Sequence, residues 1–120
     1  MKRKINSYRD AWKKRWLEDV KNRHIKSDAA EKAAKKISLM LIRKFKVNKI
    51  ILFGSVIKKE FDSGSDIDLA VEGLKKEFYI KALVEAENLV NFPVDIKPLE
   101  ECKGFFKEQI QTKGRVLYEK

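Results

Sequence analysis

The 120-residue sequence predicts an α+β domain with a small mixed β-sheet packed with helices. Three observations carry that expectation. Ile50–Phe53 is a short, continuous apolar run rich in β-formers, which suits a buried strand. From Asp66 to Val71 the side-chain period is two, with Asp66 and Asp68 on one face and Ile67 and Leu69 on the other. A helical segment then leads to a third extended run, Val94–Leu99, while helical patterns occupy most of the remaining chain.

In chain order, Met1–Asn6 reads as a frayed end. Tyr8, Trp12, Trp16 and Val20 then recur every four residues, with Leu17 beside them, on a charged background. That pattern is a surface helix with one aromatic stripe, and packing of the stripe on the domain's own body is favoured over a docking surface for a partner. A helix break is expected at His24–Asp28, where Asp28 can cap a second helix and Glu31 completes a capping box; one long helix is the alternative, since Ser27 and Asp28 are weak breakers. The second helix runs to about Phe45 through Ala30, Ala33, Ala34, Ile37, Met40 and Leu41. Gly54-Ser55 ends the first strand, Val56–Glu60 fits one helical turn, and Asp62, Ser63 and Gly64 supply turn chemistry. Leu74–Val90 is a helix with Phe78, Ala82, Leu83, Ala86, Leu89 and Val90 on its core face. Pro93 opens the third strand, on which Val94 and Ile96 face one way and Asp95 and Lys97 the other. Glu101–Thr112 is a short amphipathic helix, Gly114 stops it, and Val116–Tyr118 is an extended tail. We expect a single domain over residues 1–120, with residues 1–26 a basic helical extension and 27–120 the core.

The net charge of +10 is unevenly placed. Residues 1–46 hold sixteen Lys/Arg against five Asp/Glu, while residues 47–120 hold twelve against thirteen. The basic third points to an anionic partner or to a solvated Lys-rich helix of a heat-adapted protein. No apolar stretch is long enough to span a bilayer, and no apolar signal region follows the basic start, so no membrane contact is expected. A lone cysteine, Cys102, excludes an internal disulfide and fits a reducing cytoplasm, where it serves as a small packing residue. His24, the single histidine, sits in a basic helix and reads as solvent-exposed.

The chemistry is concentrated between Lys49 and Val71. Asp66 and Asp68 place two like charges about 6–7 Å apart at the start of a strand, which asks for a divalent cation between them. Gly54, without a Cβ, admits another group close to the backbone, and Ser55 offers a hydroxyl and an N–H at the start of a turn, an anion site. Either half alone commonly just ends or begins a strand.

Together they form a known pattern. Gly54-Ser55, ten intervening residues, then Asp66-Ile67-Asp68 resembles the signature of the DNA polymerase beta nucleotidyltransferase superfamily. The short length and the Leu52-Phe53-Gly54-Ser55 and Ser65–Val71 wording resemble its minimal nucleotidyltransferases, the antitoxin-type partners of HEPN-domain proteins. The resemblance covers about Lys49–Leu99. It implies the polymerase-beta-like fold, a third carboxylate at Asp95, and two Mg²⁺ ions held by Asp66, Asp68 and Asp95. It further implies that Gly54, Ser55 and Lys58 contact the triphosphate of ATP, and that AMP passes to a hydroxyl, a tyrosine of the HEPN-type toxin. Members often carry Arg-x-Arg-Gly or Val-x-Arg-Gly after the Gly-Ser; here Val56-Ile57-Lys58-Lys59 stands instead. Lys58 is then a point charge rather than a bidentate fork.

The competing expectation is a module that silences its partner by contact alone or holds RNA on the basic helices. The intact Asp66, Asp68, Asp95 set argues for the enzyme, since a pure binder has no use for it. RNA is disfavoured because the lysines show no clear stripe; transfer to a small molecule is disfavoured because no second domain supplies an acceptor pocket. Self-association is left open.

Overall fold

A computed structural model describes residues 2–58 and 65–120, with the backbone alone for residues 2–12, 23 and 24. The chain opens with one 39-residue helix, α1 (Lys2–Met40), which passes through a π-helical turn at Leu41–Phe45 and stops at Lys46 in the left-handed region. The expected break at His24–Asp28 does not occur, and the helix begins at Lys2 rather than after a frayed Asn6. Ser27 is fully buried against the body, so tertiary packing overrides its weak tendency to break the helix. A helix of this length spans about 58 Å. That accounts for most of the molecule's 66 Å long axis.

The sheet follows. It comprises β1 (Lys49–Phe53), β2 (Ile67–Glu72), β3 (Val94–Pro98) and β4 (Arg115–Glu119) in the order β3-β2-β1-β4. β1 runs antiparallel to β2 and β4, and β2 runs parallel to β3. The sheet is mixed because α2 (Tyr79–Leu89) carries the chain from β2 back to the start of β3. The tail expected at Val116–Tyr118 is therefore a true edge strand, held also by Lys49–Glu119 at 2.8 Å and by Arg115–Glu31 to α1.

Period two divides the sheet into faces. Ile50, Leu52, Ile67, Leu69, Val71, Val94 and Ile96 meet Ala30, Ala34, Ile37 and Leu41 of α1 and Ala82 and Ala86 of α2. Small residues on both helices let them lie close to the branched side chains of the strands. The opposite face is a smaller cluster of Ile51, Ala70, Leu99, Cys102 and Ile110, with Phe53 at its rim. There α3 (Gly104–Lys113) covers only part of the sheet. Gly114 ends α3, though not through a left-handed turn. A Cβ there would lie 2.4 Å from the Ile110 carbonyl oxygen and 2.5 Å from Ile51 Cγ2, so close packing demands the glycine.

Two expected apolar contacts fail. Trp16 is 62% exposed and Leu17 53% exposed, so neither packs on the body, because α1 has not yet reached the sheet at that point. Tyr8, Trp12 and His24 have no described side chains, and the turn at Asp62–Gly64 lies outside the described residues. On α2 the contact is carried by Ala82 and Ala86, with Leu83 and Val90 partly buried against the same core, while Phe78 and Leu89 are 39% and 43% exposed and Phe78 rests against Phe45. Among the described residues no helix is long and apolar enough to cross a membrane.

Candidate functional site

The partly covered face of the sheet carries the acidic residues. Asp68 stands opposite Phe53 of β1 and beside Asp95 of β3 in register, so Phe53, Asp68 and Asp95 form one row across three strands. Neighbouring strands lie about 4.8 Å apart. Two carboxylates are thus held side by side by backbone pairing, and their separation does not depend on loops. Asp66 precedes β2 and is exposed, so it is less tightly placed than the other two. The Ile67 N–H donates to the Pro93 carbonyl at 2.9 Å, fixing where β2 begins beside β3.

Gly54 completes the arrangement. Its φ is +82°, a left-handed value that favours glycine, and a Cβ at this position would lie 2.4 Å from Asp68 Oδ2. The turn that leaves β1 therefore closes directly over the Asp68 carboxylate. Gly54–Val56 form one 3₁₀ turn containing Ser55, whose end is closed by the Ile57 N–H on the Gly54 carbonyl. Lys58 follows, exposed, with its own N–H donating to the same carbonyl at 3.3 Å.

The electrostatics reflect crowding. Burial, then the charges of Asp95 and Asp66, push the Asp68 carboxyl up to about 6, and Lys97 opposes the shift. Asp66 is thus near enough to act on Asp68 by charge even though it lies outside the strand. Lys97 Nζ sits 3.2 Å from Asp95 Oδ2, an ion pair that raises the lysine above its ordinary value. The same ammonium lies 5.8 Å from the centre of the Phe106 ring, and Phe106 meets Phe53 edge-on at 6.0 Å.

Of the residues singled out from sequence, Gly54, Asp68 and Asp95 come together, with Asp66, Ser55 and Lys58 on the segments leading into them. Among the described residues no three histidine, cysteine or acidic side chains form a ready-made metal cage. Asp95 is paired instead with Lys97. Sequence reasoning missed Lys97, Phe53 and Phe106. A signal existed for Lys97, which lies two residues after Asp95 on the same strand face; none existed for Phe106, whose place depends on how α3 docks. The cavity of about 350 Å³ lined by Leu74, Lys76, Tyr79, Pro98 and Glu101 opens at the other end of β2 and β3. It is separate from the carboxylates.

Comparison with known proteins identifies the family and the fold. A family model described as "Polymerase beta, Nucleotidyltransferase" matches residues 35–120. The chain belongs to that nucleotidyltransferase family, and its mixed sheet with flanking helices is the family's fold. Two proteins of Methanocaldococcus jannaschii, named as candidate protein adenylyltransferases, are similar. MJ0604 is 31% identical over 105 residues, covering 73% of this chain and 97% of the relative. MJ1547 is 33% identical over 73 residues, and the match spans 61% of this chain and 57% of that longer relative. Among solved structures, a toxin–antitoxin with AMP-PNP matches with a TM-score of 0.62 at 24% identity, over 72% of this chain and 73% of that one. The toxin–antitoxin MntA-HepT matches with a TM-score of 0.54 at 23% identity, over 72% and 70%. At these identities the structural likeness concerns the fold.

Proposed function

We propose that this protein is a Mg²⁺-dependent adenylyltransferase that moves AMP from ATP to a tyrosine of a HEPN-type toxin partner, and so acts as its antitoxin in the cytoplasm. The observation that carries the reading is the registered Asp68–Asp95 pair beneath the Gly54 turn. The names of the two archaeal relatives and the toxin–antitoxin character of the structural neighbours support the same reading. We place the division of the chain at residue 27: among the described residues of α1, Ser27 and Ala30 are the first that are fully buried, which supports a catalytic core at 27–120 and an extension at 1–26.

The donor set suits a hard divalent cation, since carboxylate oxygens crowd at one strand row and repel one another when ionised. Asp66 and Asp68 would hold one Mg²⁺ and, with Asp95, a second. Bound there, the ions supply charge neutralisation on the triphosphate and acidify the acceptor hydroxyl. The protein's own part is positional. Gly54 keeps the turn close over Asp68, Ser55 donates to the β- and γ-phosphates, and Lys58 adds a positive charge at the turn's exit. Asp95, on the far strand of the pair, receives the proton of the attacking hydroxyl as its oxygen bonds the α-phosphorus of ATP and pyrophosphate leaves. Little covalent participation is needed, because in-line geometry and charge neutralisation lower most of the barrier.

Thermal melting tests the assignment. Mg²⁺ and ATP together should raise the melting temperature, as ligand binding to the native state must. Asp66→Asn and Asp68→Asn should each remove most of that shift. A full shift in both variants would place the nucleotide and metal elsewhere.

A further inference from the structure

Lys97 has no role in the chemistry above, yet its ammonium is paired with a carboxylate of the acidic row. It is 3.2 Å from Asp95 Oδ2 and 5.8 Å from the Phe106 ring centre, and that ring is buttressed edge-on by Phe53 from the other end of the row. Lys97 is on β3 next to Ala70 of β2, two residues beyond the Asp68–Asp95 pair, so its side chain emerges on the same face as both carboxylates. Backbone pairing fixes these three positions, and the ring gives the ammonium a second anchor on its outer side.

Two adjacent carboxylates on one sheet row require a positive charge, and the fold supplies one from its own chain. We propose that Lys97 is the resident counter-ion of the Asp68–Asp95 pair: it holds the two carboxylates when no divalent cation is bound, and competes with that cation for them. This rests on the carboxylate pair being the metal site described under Proposed function. The lysine thereby acts as a positioning residue. It keeps the row assembled in the resting protein and sets how much metal is needed to fill it. Phe106 supports the lysine by holding the ammonium against the row.

The test is Mn²⁺ binding to the nucleotide-free protein, read from the electron paramagnetic resonance signal of free Mn²⁺. Lys97→Met should bind Mn²⁺ more tightly, by roughly threefold, as expected for loss of a half-exposed competing ion pair. Lys97→Arg, which retains the charge, should stay close to the wild type, and Phe106→Leu should fall between the two. Without metal, Lys97→Met should melt below the wild type, and saturating Mn²⁺ should close that gap. Unchanged or weaker Mn²⁺ affinity in Lys97→Met, with binding still lost in Asp68→Asn, would overturn the counter-ion role and leave the metal site standing. Mn²⁺ binding that survives Asp68→Asn would overturn the site itself, and the counter-ion role with it. Lys97 is partly exposed, so its removal leaves the buried core unchanged; Lys97→Gln serves as a second neutral variant with the same expectation.

Discussion

Asp68→Asn should make the metal-free protein more stable at pH 7.5 while eliminating its function. The Asp68 carboxyl titrates near 6 in the folded protein, against an ordinary value of 3.8. The native state therefore binds this proton more tightly than the unfolded chain. Raising the pH from about 4 to about 6 costs stability, and above 6 the cost is constant. The full shift corresponds to about 3 kcal/mol, which solvent screening of a half-buried side chain reduces to roughly 1–2 kcal/mol. Asparagine carries no charge at any of these pH values. The variant should gain that amount at pH 7.5 and nearly nothing at pH 4, where Asp68 is already protonated in the native state. Urea denaturation at the two pH values reads the difference. A gain of equal size at both, or a wild type more stable at pH 7.5, would contradict the crowding of charge inferred at the row. A group that destabilises the resting fold is retained where its charge has work to do on a ligand.

Gly54→Ala should cost about 2–3 kcal/mol in urea denaturation. One part is backbone strain from a side chain at φ +82°, and the other is the 2.4 Å approach to Asp68 Oδ2. The second part disappears when the carboxylate is absent. In an Asp68→Ala background the same substitution should therefore cost about 1 kcal/mol less, the remainder being strain. An identical cost in both backgrounds would mean that the turn does not close over Asp68.

These two positions show how much the sequence reveals. The Gly54-Ser55 and Asp66-x-Asp68 pattern is local, and backbone period two assigns the faces of Asp68, Asp95 and Lys97 without tertiary information. Strands β1 to β3 fall within a residue or two of their expected ends for the same reason. What was not legible depends on docking. Ser27 looks like a weak helix breaker until its burial against the body is known, and α1 runs through it unbroken. The aromatic spacing around Trp16 looks like a packed stripe. Only the position of the body along α1 shows that Trp16 and Leu17 lie beyond it. Phe106 joined the site because α3 crosses the sheet beside Phe53. Helical periodicity marked it as apolar and could not say which neighbour it meets. Gly114 stops α3 as its place in the sequence suggests, but close approach to Ile51 rather than backbone handedness requires it.

The central claim is transfer, and the mass of the partner tests it most directly. The protein is incubated with a candidate HEPN-type partner, ATP and Mg²⁺, and the partner's intact mass is measured. The account predicts addition of one or more AMP groups to a tyrosine and no addition by Asp95→Ala, which should still bind nucleotide through Asp66 and Asp68. A partner silenced with no change in mass, and silenced equally well by Asp95→Ala, would contradict it.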